Sequence, residues 1–370
     1  MHKTHLHHSL TGLTFIFCVA MYLCALTQEV VAGSRDQTSV TPAADKAQET
    51  ARRQQLEQII LNKLAFYAAQ FPDIDFVVLD TAGNVARNMQ LLAQIIGQDP
   101  DPLDYAHPED LRHALLMTML MRIEFLLQTD VGSATLFKPG KDAVAKRKYV
   151  CVVTLSPWDI ARDDRTATRH LLELPQSEID AVPPAQYLDH ASHLRFALDH
   201  EVYHCLDTIY NGPIPMSKRE YWGKYYMLKN EAGADAFGII MNIAAHDSIT
   251  PYARTLGHIR ALTLLRNDPN HYTYPAICAV LQLDPAKLAQ DDVRERFQVA
   301  STLRDRVVGN YDEYVRYMIA AYHAMKQLDV HDGEDKLGQT EVDRKLVKVL
   351  IEQTRDSYHR LTGHEMPTAR

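Results

Sequence analysis

Residues 200–204 read His-Glu-Val-Tyr-His, and residues 230–235 read Asn-Glu-Ala-Gly-Ala-Asp. These two patterns constrain the fold more tightly than anything else in the chain. Each lies in a stretch with helical apolar spacing, which predicts helices over 186–209 and 218–245. Each also carries two chemically active side chains four residues apart. Residues so spaced lie about 40° apart around an α-helix and about 6 Å along it. His200 and His204 therefore face one point, and so do Glu231 and Asp235. Between the acids, Ala232, Gly233 and Ala234 carry little side-chain bulk, which permits the two helices to approach closely. The first helix stops at Asn211-Gly212, and a loop with Pro213 and Pro215 leads to the second.

Around this pair the layout is α+β: a small mixed or antiparallel sheet early in the chain and a mainly helical second half. Apolar periodicity predicts a helix from residue 51 to 70. A β-prone run follows at 76–79, with helices at 84–97 and 109–128 separated by an Asp/Pro-rich loop at 99–108. A strand pair is expected at 134–137 and 147–155, turned by Pro139-Gly140. Beyond Pro251 helices are expected at 252–266, 274–282, 285–306, 311–328 and 339–361. The expected division is an N-terminal subdomain over 51–210 and a helical subdomain over 211–370.

His-Glu-x-x-His is a metal-binding arrangement when a third ligand stands nearby. Neutral imidazoles are good zinc ligands, and Glu201, on the edge of the same helix face, can reach a water on the metal without closing its coordination sphere. Chance supplies the motif in about 5% of sequences of this composition, so the third ligand decides the matter. Glu231 fills that role and gives a His₂Glu site for one Zn²⁺ with a fourth position open to water. Asp235, one turn further on, is placed to accept the second N–H of a ligand histidine, His200 being the expected one.

In this window of 36 residues the chain resembles the gluzincin metallopeptidases, the thermolysin-like class. That resemblance implies a zincin active-site helix, a glutamate general base in Glu201 and a peptide or protein substrate. It also implies an oxyanion donor from the downstream helices, for which His258, His271, Tyr272 and Tyr274 are candidates, with His271 and Tyr272 preferred because they lie in a loop. A strand above the cleft is implied too, with 148–155 as its candidate. The alternatives within reach of the same residues are a zinc amidase acting on a cell-wall or other non-protein amide, and a zinc-stabilised scaffold whose catalysis has lapsed. An intact Glu201 argues against the scaffold.

The remaining features receive plainer readings. His193 shares the helix face but is expected to be exposed, and His190 to face solvent. Cys205 is expected to pack in the interior, and Tyr221, Trp222, Tyr225 and Tyr226 to pack along their helix. The acidic stretch 329–335 lacks calcium-loop spacing and reads as a solvated loop.

Residues 1–33 have the three-part pattern of a secretory signal: a polar start with Lys3, an apolar run over 10–26, and Val30-Val31-Ala32 before Gly33. An uncleaved membrane anchor over 10–26 is the alternative, and either places the body outside the cytoplasm, in the periplasm or secreted. Residues 34–50 read as a flexible leader. A net charge of −8 argues against a nucleic-acid partner, which would call for a basic stripe. Outside the presumed signal only Cys151, Cys205 and Cys278 remain, enough for one disulfide, whose pairing the sequence leaves open. Nothing specifies the oligomeric state.

Overall fold

The computed structural model describes residues 42–80, 84–129, 132–155, 164–172, 180, 182–215, 220–328 and 342–366. The expected signal or anchor therefore lies outside the described residues, as do 34–41 of the expected leader and the acidic stretch 329–335. No helix among the described residues is long and apolar enough to cross a membrane. The chain divides between Gln48 and Glu49, and residues 49–370 fold as one unit. The boundary expected near 210 falls inside that unit, at the end of one of its helices.

Helix α1 (Pro42–Gln70) begins before the predicted start at 51, so 42–50 are helical and not a loose leader. Ala, Lys, Gln and Glu dominate that stretch and are strong helix formers, and proline is well tolerated in a first turn. The sheet consists of β1 (Ile74–Asp80), β2 (Asp101–Pro102), β4 (Ser133–Lys138) and β5 (Tyr149–Leu155), in the order β1-β5-β4-β2. Strand β5 runs parallel to β1 and antiparallel to β4. It is thus flanked on both sides along its length and has no free edge to offer a substrate, which corrects the cleft-strand role expected of 148–155. The loop at 99–108 is also more ordered than expected. It contributes β2 and β3 (Tyr105–Ala106), the latter paired with β6 (Ile214–Pro215).

Alternation along β5 separates two cores, as the two-residue period of a strand requires. Cys151, Val153 and Leu155 face a large core shared with the helical half. Val150 and Val152 face a smaller one built with α2 (Val85–Ile96) and α3 (Arg112–Thr129). A short helix α4 (Asp164–Leu172) precedes α5 (His190–Asn211), the helix that carries His200 and His204. Helix α5 starts four residues later than predicted, because Pro184–Gln186 forms a separate 3₁₀ turn and Asp189 caps the helix by accepting from the Ser192 amide. A disulfide joins Cys151 on β5 to Cys205 on α5 across 54 residues, and Cys278 is free. Closing a loop of that length removes about 4 kcal/mol of unfolded-chain entropy. It ties the sheet directly to the helix that carries His200 and His204.

Helix α6 (Glu220–His246) packs along α5. Two glycines make that approach possible. A Cβ on Gly233 would lie 2.2 Å from the Tyr203 hydroxyl, and one on Gly238 would lie 2.6 Å from the Phe196 ring. The remaining helices are α7 (Pro251–Ala261), α8 (Tyr274–Val280), α9 (Pro285–Gln290), α10 (Val293–Val308), α11 (Tyr311–Gln327) and α12 (Arg344–Thr362). The single helix predicted over 285–306 is two. Asp292 and Glu295 form a capping box that starts α10 afresh after Asp291.

Candidate metal centre

Four residues per turn-and-a-bit on α5 and on α6 bring three donor atoms together. His200 Nε2 lies 3.2 Å from Glu231 Oε2 and 3.3 Å from His204 Nε2. His204 Nε2 lies 3.8 Å from Glu231 Oε1. His200, His204 and Glu231 form the one such cluster of metal-ligating atoms among the described residues. A tetrahedral zinc ion with ligands at about 2.0–2.1 Å has ligand-to-ligand edges of about 3.3 Å. Two of the separations match those edges and the third, drawn to the other Glu231 oxygen, is longer at 3.8 Å; the donor set of two imidazoles and a carboxylate fits the ion. Glu201 is buried at 9% exposure beside His200 on the same helix.

Behind the triangle stands a fully buried carboxylate. Asp235 Oδ1 lies 2.9 Å from His200 Nδ1 and accepts from Arg260 Nη2 at 2.9 Å. Its other oxygen accepts from the Thr273 hydroxyl. This arrangement directs the His200 Nδ1 proton to Asp235 and leaves Nε2 open to a metal ion, the usual supporting geometry of a ligand histidine. The expected pairing of Asp235 with His200 is what the fold builds. Arg260 and Thr273 were not anticipated. Arg260 has no local pattern that could have revealed it, since α7 brings it in from 25 residues away.

The electrostatics follow from the packing. Burial alone would lower the His200 pKa, but hydrogen bonds to Asp235 and Glu231 raise it to about 10 in the metal-free protein. His204 goes the other way, to about 4, through burial and the neighbouring His200 charge, which outweigh the pull of Glu231. One proton therefore serves both imidazoles. Burial would raise the Glu231 and Asp235 carboxyls, yet both are held below the carboxylate range, Glu231 chiefly by its His200 bond and Asp235 chiefly by the Arg260 charge.

His271 is brought to the edge of the centre, with Nε2 3.9 Å from Glu231 Oε2 and Nδ1 2.5 Å from Asp268 Oδ2. Burial opposes its protonation, but the Asp268 bond prevails and raises its pKa. Asp268, three residues earlier, stands at a spacing from which an acidic partner for His271 is readable in the sequence. Tyr272 is not brought in: its hydroxyl donates to Gln353 at 2.7 Å and its ring is buried against α11 and α12. Its neighbour His271, half-buried at the end of the Pro269–His271 turn, points instead to Asp268 and Glu231. His258 is engaged by Ser357 at 3.1 Å, and Tyr274 lies against His258 and Cys278, so neither reaches the triangle.

His193 is buried at 3% exposure, not exposed as expected, and its Nδ1 lies 3.0 Å from the Tyr252 hydroxyl. The close packing of Phe196 and Tyr252 around it excludes water. His190 does not face open solvent either, being partly buried 3.5 Å from Asp164. Tyr225 packs as expected and donates to the Gly309 carbonyl, whereas the side chains of Tyr221 and Trp222 lie outside the described residues. Comparison of this chain with family models, with curated proteins and with solved structures finds no match.

Proposed function

We propose that the protein is a zinc-dependent hydrolase of the gluzincin type that cleaves peptide bonds outside the cytoplasm. The observation that carries this reading is the convergence of His200, His204 and Glu231 donor atoms 3.2 to 3.8 Å apart, backed by Asp235. A zinc ion held by these residues would lower the pKa of a water and polarise the scissile carbonyl. Glu201, on the same helix, takes the proton from the attacking water and delivers it to the leaving amine. His271, whose protonated form is favoured by Asp268, donates from Nε2 to the carbonyl oxygen as it becomes anionic. Asp235 and Arg260 hold His200 in the tautomer that presents Nε2. The Cys151–Cys205 bridge fits an oxidising compartment, in keeping with the exported location the sequence suggests.

The test is hydrolysis of a quenched-fluorescent peptide library by zinc-reconstituted protein, beside a peptidoglycan amide as a non-protein substrate. Peptide cleavage abolished by Glu201→Gln supports the proposal. Turnover of the non-protein amide alone would replace its substrate, and turnover of neither would leave no hydrolase to explain.

A further inference from the structure

On another side of α5 a groove of about 380 Å³ opens between α1, α5, α6 and α10. It shares no lining residue with the metal centre. Its floor and walls are apolar (Ile59, Phe66, Met241, Ala244), and its polar lining is dominated by the cations Lys63, Arg195 and Arg296. The buried carboxylate of Asp199 lies against Lys63 and is already saturated. Lys63 Nζ lies 2.7 Å from both of its oxygens, and the Tyr67 hydroxyl donates to it at 2.5 Å.

The two arginines are left over. Arg296 is anchored by Nε to the Leu288 carbonyl at 2.8 Å and by Nη2 to the Ala289 carbonyl at 3.0 Å. Its Nη1 meets only the Met241 sulfur, at 3.9 Å. Arg195 makes no hydrogen bond or ion pair among the described residues and feels Asp189 and Asp199 only at longer range. Half-burying two guanidinium groups beside apolar surface without a directly paired carboxylate is costly, and a bound anion would relieve that cost. Held in place by its two carbonyl bonds, Arg296 offers Nη1 as a preorganised donor to an oxygen of a carboxylate or a phosphate. The apolar walls add a demand for a hydrocarbon portion, and the volume lies in the range of small-ligand sites.

We infer that this groove binds a small amphiphilic anion, a carboxylate or phosphate head on a short hydrocarbon chain, with the head between Arg195 and Arg296. The probe is sodium octanoate, titrated calorimetrically into the full chain, with octylamine and octyl glucoside as controls. Octanoate should bind with one-to-one stoichiometry and neither control should. Arg195→Gln, at a partly exposed position with no bonds to lose, should weaken binding about tenfold while leaving the fold intact. Ala245→Trp, at the exposed rim, should abolish binding by filling the mouth. Absence of saturable octanoate binding, equal binding by both variants, or equal binding of octylamine would overturn the inference. Phosphatidylglycerol vesicles separate two sources of the same head group. Retention on vesicles that octanoate competes away assigns the site to a lipid, and octanoate binding without retention assigns it to a free amphiphile.

Discussion

Replacing Asp235 by Asn changes one atom's chemistry and should damage two separate properties. The carboxylate is completely buried and accepts from Arg260, His200 and Thr273. Without its charge, Arg260 remains in the interior uncompensated, and breaking a buried pair in this way costs about 3–5 kcal/mol. The metal-free variant should therefore unfold in urea with stability lower by roughly that amount. Independently, His200 loses the acceptor that fixes its tautomer, and zinc affinity should fall about 10–100-fold in a chelator competition. The double variant Asp235→Asn/Arg260→Gln separates the two effects. It removes the stranded charge and should regain part of the stability, while zinc affinity stays low. The variant also tests a pH dependence. The His200 pKa is raised from 6.5 to about 10 in the folded, metal-free protein. Its stabilising contribution is complete below about 6.5 and is lost as pH rises through about 10. Asp235→Asn should flatten that alkaline decline. A single variant as stable as wild type with unchanged zinc affinity would refute the reasoning.

Other consequences are as direct. With His200 protonated and His204 neutral between about pH 4 and about 10, zinc binding at pH 7 should expel about one proton from the pair. Calorimetry in buffers of different ionisation enthalpy reads this number, and a proton count near zero would contradict the shared-proton picture. His271→Ala should lower kcat about 100-fold or more with zinc content unchanged, as expected for an oxyanion donor. A change confined to KM would assign it to substrate binding instead. Gly233→Ala places a methyl group 2.2 Å from the Tyr203 hydroxyl, and should cost about 1–3 kcal/mol in thermal or urea unfolding. An unperturbed variant would show that the two helices have room to spare.

The centre was legible in the sequence wherever its geometry is local. His200 with His204, and Glu231 with Asp235, are four-residue spacings on single helices, and the bulk-free Ala232-Gly233-Ala234 announced the contact between them. Arg260, Thr273 and the Cys151–Cys205 bridge were illegible, because only tertiary folding brings α7, the 273 loop and β5 to these helices. The burial of His193 is illegible for the same reason: its neighbours Tyr252 and Phe196 exclude water from a face that periodicity alone cannot rank. The break at Asp291-Asp292 is a different case, since the Asp292/Glu295 capping box was present and outweighed by continuous apolar spacing. Strand 149–155 was found, but its central position depends on β1 pairing from 75 residues earlier, and pairing order is not written in a strand's own residues.

The central claim is tested most directly by zinc content and peptide turnover measured together on residues 34–370, as wild type, Glu201→Gln and Glu231→Ala. The account predicts about one zinc in wild type, one zinc without turnover in Glu201→Gln, and loss of zinc in Glu231→Ala. Wild-type protein that remains metal-free after reconstitution with zinc would contradict it.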